Sequence, residues 1–275
     1  MQSVEHPAPG SGPEGARPRP LWRQVAIPTE HGGWSLTAEP IVLGLVVEWS
    51  PAGAALGLAA MLAFVARTPL KVVLVDRWRG RTLDRTQVAA RIATAELVAI
   101  AALGLAAFSW SLDPRFWVPL AVAAPLVGVE LWFDMRSRSR RLVPELAGTV
   151  GMGSVVTAIV LAGDGSASLA LGLWAVVSAR AAAAIPYARN QVLRAHGRPI
   201  TRWHSDLAQA LAAAAVLMAW LLGAVPLGAL VAVAGAALLN LGWSRGPVRP
   251  AKVVGMQQLF LGVAVVVVTA VAVLG

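Results

Sequence analysis

Cysteine is absent from all 275 residues, which excludes structural disulfides and thiolate metal centres. Charge is scarce too. Only 13% of the residues are charged while 57% are hydrophobic, too little charge to cover a water-soluble surface of this size, so a soluble all-helical protein is excluded as well. The first twenty residues hold prolines and glycines but no apolar stretch that could form a signal-peptide core. Residues 1–27 therefore read as a disordered cytoplasmic tail, and residues 28–275 as one transmembrane domain.

What the chain has in abundance is apolar runs. Nine approach the length of a membrane-crossing helix: 34–49, 52–75, 92–110, 116–134, 145–163, 168–186, 207–224, 226–243 and 256–274. The first is short, a mismatch that tilt or local bilayer thinning absorbs. The expected fold is all-α, a polytopic bundle of about nine transmembrane helices.

The cations give its orientation. Nineteen of the 23 Lys and Arg residues lie in alternate gaps between the runs, from Arg17, Arg19 and Arg23 before the first to Arg245, Arg249 and Lys252 before the last. The intervening gaps hold only Arg115, and Arg67, Lys71 and Arg180 lie inside spans. The positive-inside rule then places the N-terminus in the cytoplasm and the C-terminus outside, in a cytoplasmic (inner) membrane. Arginines facing anionic headgroups account for the net charge of +9, and no nucleic-acid partner is implied. Trp22, Trp34, Trp49, Trp78, Trp110, Trp117, Trp132, Trp203 and Trp243 lie near span ends, as an interfacial belt requires.

Local signals mark several boundaries. Asp84 with Gln87 reads as a capping box, Pro144 as the opening of the fifth span, Ser205 as a cap for the seventh, and Pro226 as a tight hairpin. Gly53, Gly57, Gly148, Gly151, Gly153, Gly228, Gly235 and Gly242 are expected to let helices approach closely. The second and fourth spans end alike: Pro69-Leu70 leads to Asp76 and alternating arginines, and Pro125-Leu126 leads to Asp134 and another such series. Either an old hairpin duplication or the general likeness of apolar helices ending in basic loops accounts for this.

Ionisable groups inside spans are costly and mark candidate sites. Glu39, Arg67, Lys71, Glu96, Glu130, Asp134, Glu145 and Arg180 all fall in the cytoplasmic half. Glu39 with Arg67 or Lys71, and Glu130 with Arg180, are the expected ion pairs if these groups serve only to fix helix register. Near the same face lie Pro28-Thr29-Glu30-His31-Gly32-Gly33-Trp34, Ile185-Pro186-Tyr187-Ala188-Arg189-Asn190-Gln191 and Trp203-His204-Ser205-Asp206. A polar mouth with a basic rim over an apolar bundle suits a ligand with an anionic head and a long apolar tail.

Pro28-Thr29-Glu30-His31-Gly32-Gly33-Trp34, with Pro40, Gly44 and Arg67-Thr68-Pro69-Leu70, resembles the YwiC-like family of bacterial integral membrane proteins. That resemblance implies a location rather than a particular chemistry. At the level of architecture, nine helices with polar loops after the second and sixth also resemble the UbiA-type intramembrane prenyltransferases. Those carry aspartate-rich motifs that hold magnesium and a prenyl diphosphate, whereas here the two loops offer only Asp76, Asp84 and Asp206.

The leading expectation is therefore a UbiA-like transferase acting on an anionic isoprenoid or lipid. Arg67, Lys71, Arg180, Arg189 and Asn190 would hold the head, and Glu39, His31, Asp76 and Tyr187 would move protons or contact a metal. Asp76, His204 and Asp206 are the metal candidates, with magnesium the ion such an enzyme would use. The alternatives are a transporter of a small anionic metabolite and a non-catalytic scaffold. Membrane lipids are partners in each case.

Overall fold

The computed structural model describes residues 21–28, 31–138 and 141–275. Residues 1–20, Thr29, Glu30, Ser139 and Arg140 lie outside the described residues, as does the side chain of His31. The described residues form helices and connections, without a strand. A six-residue helix α1 (Leu21–Ala26) precedes α2 (His31–Val47), α3 (Pro51–Trp78), α4 (Asp84–Trp110), α5 (Trp117–Met135), α6 (Leu142–Ala162), α7 (Ala167–Ala195), α8 (Arg202–Leu221), α9 (Leu227–Arg245) and α10 (Ala251–Leu274). A 3-10 turn, Pro114–Phe116, leads into α5. Eight of these helices are long and apolar enough to cross a bilayer, and α2, at 17 residues, is the short one. The chain is a multi-pass helical membrane protein.

Three boundaries differ from expectation. Within the stretch read as tail, Leu21–Ala26 form α1, and Val25 packs with Val73 and Ala89. At α4 the cap is Leu83, whose N–H donates to Thr86 Oγ1 at 3.2 Å, so Asp84 opens the helix instead of capping it. Ser205 is a turn inside α8, which begins after Thr201. Pro144 does lie in the first turn of α6, and Pro226 does cap α9 after a short turn from α8.

Short connections reverse the chain between successive long helices, so the arginine-rich connections gather at one end of the bundle, although α5 packs on α6 and α3 rather than on its predecessor α4. The centre is α6, whose residues from Gly153 to Ala162 are all buried, with α2, α3, α5 and α7 around it. Beyond α7 the chain continues through α8 and α9 to α10, which returns to pack on α2. The outermost element is α4, held almost wholly by α3.

Several glycines work as expected. A Cβ on Gly57 would meet Ile41 at 2.7 Å, and one on Gly153 would meet Ser178 Oγ at 2.9 Å; Gly228 faces Ala272 as closely. Gly235 and Gly242 face open space, so they are not packing glycines.

The resemblance between the ends of α3 and α5 extends to the backbone. Gly80 and Ser137 both adopt positive φ, at 63° and 56°. Each sits in the same terminator: Arg81 N–H donates to Asp76 O and Arg138 N–H to Phe133 O, in both cases five residues back.

At the opposite end, Asp113 accepts from the Arg115 backbone N–H at 2.8 Å and from its guanidinium at 2.9 Å. These bonds, the guanidinium's first, hold the Asp113 carboxyl below the ordinary carboxylate range. The linked stability is present above the unfolded value of about 3.9 and is lost as pH falls through the folded one. Between about pH 5 and pH 2 the melting temperature of the wild type should therefore fall further than that of Asp113→Asn.

Candidate functional site

Three groups of polar side chains lie toward the arginine-rich end. The first joins α3 to α5. Arg67 donates to both oxygens of Asp134, from Nε at 2.7 Å and from Nη2 at 3.1 Å, while its Nη1 lies 2.7 Å from Glu130 Oε1. Lys71 Nζ lies 3.4 Å from the same Asp134. Asp134 has no solvent exposure, and Gly148 of α6 gives room to the Glu130 carboxylate. Among the described residues two cations meet two carboxylates here.

The second is a clasp between α3 and α4. Asp76, 1% exposed, accepts from Arg85 at 2.8 and 3.2 Å and from Thr86 Oγ1 at 2.7 Å. All of its partners are on its own hairpin.

The third is a layer through the second half of the bundle. Arg180 of α7 and Glu39 of α2, 4% and 8% exposed, face each other with Arg180 Nε 3.2 Å from Glu39 Oε2. Arg180 Nη2 donates to the main-chain carbonyl of Gln258 on α10. A chain of carboxamides continues from there. Gln258 donates to Asn240 Oδ1 at 2.9 Å, Asn240 to Gln209 Oε1 at 3.3 Å, and Gln209 to the carbonyl of Ala183 at 2.7 Å. Arg180, Gln209, Asn240 and Gln258 line a cavity closed by Val233 and Leu261, with room for about one water. At about 1.5 Å per residue, Glu39, Gln209 and Gln258 lie roughly 10–12 Å from the starts of their helices, and Asn240 roughly 8 Å before the end of its own. They form one level, just on the arginine-rich side of the middle.

From Arg180 a polar stripe follows one face of α7 through Tyr187 and Gln191 to Arg194, at helical spacing. The Tyr187 hydroxyl lies 3.4 Å from Gln257 Oε1. Gln191 donates to Trp243 O at 3.2 Å, and Arg194 to Ser244 O at 2.9 Å and Gly246 O at 2.8 Å, closing the last turn of α9. Arg189 is exposed at the rim, and Asn190 reaches Thr201 O at 3.4 Å.

The expected ion pairs are exchanged. Glu39 meets Arg180 and Glu130 meets Arg67, because α2 packs on α7 while α3 reaches α5. The candidate head-binding cations also separate, with Arg67 and Lys71 in the first group and Arg180 in the third. The metal candidates do not converge. Asp76 belongs to the clasp, Asp206 pairs with Arg245 at 3.0 Å, and exposed His204 stacks on Trp203 at 3.9 Å. Among the described residues no three His, Asp or Glu side chains group to hold an ion. Gln209, Asn240 and Gln258 were not singled out from the sequence. Uncharged amides inside apolar runs are the signal that marks them.

Residues 27–160 match the model of the YwiC-like protein family. The match bears out the resemblance carried by the stretch before α2, over just under half of the chain. No curated protein and no solved structure matches. The YwiC-like segment runs from the lead-in to α2 almost to the end of α6, so it supplies Glu39, the Arg67–Asp134 cluster and the Asp76 clasp. Arg180 and the three carboxamides come from helices beyond it.

Proposed function

We propose that this YwiC-like protein is a carrier for a small anionic metabolite in the cytoplasmic membrane, with Arg180 as its anion-binding group. The observation that carries this reading is the cavity of the third layer. A buried guanidinium and three carboxamides from four helices converge on space near the middle of the bundle, the level at which alternating-access carriers commonly hold their solutes. The planar guanidinium fork suits a planar oxyanion, and each carboxamide adds donors and acceptors. The α7 stripe gives such an anion a polar way in from the arginine-rich, cytoplasmic end, with Arg189 at the rim to attract it.

The isoprenoid-transferase expectation has less support. It relied on Arg67 and Lys71 for a diphosphate, and Glu130 and Asp134 already engage both.

Thermal stabilisation of the purified full-length chain separates the two. Nitrate, formate and bicarbonate are expected to raise the melting temperature, by an amount that Arg180→Gln abolishes and Arg67→Gln leaves intact. Proteoliposomes should then take up labelled nitrate down its gradient. Stabilisation by farnesyl diphosphate alone, lost in Arg67→Gln, would overturn the carrier reading in favour of the transferase.

A further inference from the structure

We propose that anion and proton move together through this protein, Glu39 taking up the proton as Arg180 takes up the anion. This rests on the carrier reading above and adds the ion that accompanies the solute.

The argument begins with a contrast between two buried ion pairs. Arg67 and Asp134 form a bidentate, hydrogen-bonded pair, the geometry that offsets the cost of burying two charges. Glu39 and Arg180 do not. Arg180 Nε approaches Glu39 at 3.2 Å without making a hydrogen bond, its Nη2 is given to a backbone carbonyl, and Glu39 Oε1 has no hydrogen-bond partner although it is fully buried. Of the two pairs, it is the poorly made one that puts a member, Arg180, on the cavity.

Nothing else charged competes for Glu39 among the described residues. Of the helices packed on α2, α6 has Glu145 as its only ionisable group, a full three turns from the buried centre. On α3, Arg67 and Lys71 face Asp134, and Asp76 faces Arg85. The single charge of α10, Lys252, is exposed at its start, and what α10 brings to Glu39 is Gly262, where a Cβ would collide with the carboxylate and with Arg180. On α7, Arg189 and Arg194 lie more than two turns beyond Arg180.

Charge conservation then fixes the stoichiometry. The empty layer holds one carboxylate and one guanidinium and is neutral. A monovalent anion brought in alone would leave a net negative charge at the middle of the bilayer, which is costly. If Glu39 Oε1 binds one proton from water, the layer holds a neutral acid, a guanidinium and the anion, and is neutral again. Transport is then electroneutral, with one proton for each monovalent anion.

The test is nitrate binding to the purified full-length chain, by titration calorimetry in buffers of different ionisation enthalpy. Near pH 7 the wild type is expected to take up close to one proton per nitrate, with affinity falling about tenfold per pH unit where Glu39 is otherwise ionised. Glu39→Gln should bind nitrate without proton uptake and without that pH dependence. Nitrate binding that needs Arg180 but takes up no proton, or equal uptake in Glu39→Gln, would overturn the coupling and leave the carrier reading standing. Absence of nitrate binding, or binding that Arg180→Gln leaves unchanged, would overturn both. Should Glu39→Gln fail to fold, the proton count of the wild type still decides.

Discussion

Asp134→Ala is expected to destabilise the protein by about 3–5 kcal/mol, the loss typical of removing one partner from a buried ion pair. Asp134 is completely buried and receives two bonds from Arg67 and one approach from Lys71. Truncating it removes the carboxylate that Arg67 and Lys71 share at the junction of α3, α5 and α6. Arg67 retains 23% exposure and its contact with Glu130, which places the effect toward the lower end of the range. The double variant Arg67→Met/Asp134→Leu should recover much of the loss, since replacing both partners with apolar side chains removes the stranded charge. Thermal or SDS unfolding in detergent reads both, and equal destabilisation of the single and double variants would show that packing, rather than charge, is what Asp134 contributes.

The second large effect is at Gly172 on α7. A Cβ there would lie 2.6 Å from the backbone oxygen of Ala224 and 2.7 Å from Val225, in the turn between α8 and α9. A flexible side chain can move aside, but a backbone carbonyl in a tight hairpin cannot without shifting both helices. Gly172→Leu is expected to cost about 3 kcal/mol or more by overpacking. Gly235→Leu, on α9 where nothing lies within 4 Å, should change the same melt very little and serves as the control.

The apolar runs made most of this fold legible. All nine appear as helices, because a run long enough to span hydrocarbon has no other way to satisfy its backbone. Their ends were less legible for a physical reason. Hydropathy stops at the membrane, whereas α4 begins at Asp84 in a polar lead-in and α7 continues past Pro186 to Ala195. The site was legible in depth and not in partnership. Counting residues from a span end puts Glu39, Arg67 and Arg180 near one level, but it says nothing about which helix faces which. Depth alone is equally consistent with Glu39 meeting Arg67 or Lys71, and it is the packing of α2 on α7 and α10 that brings Glu39 to Arg180. Gln209, Asn240 and Gln258 carry no formal charge, so the pattern of ionisable groups does not mark them. A carboxamide inside a span also needs a partner, and these three find each other.

The contact of α10 with α2 bears on how the protein is made. Because α2 and α7 are synthesised before α10, Glu39 and Arg180 gain Gly262 and the Gln258 carbonyl only after the intervening helices have been made. A nascent chain interrupted after α9 would present a half-enclosed carboxylate and guanidinium to lipid.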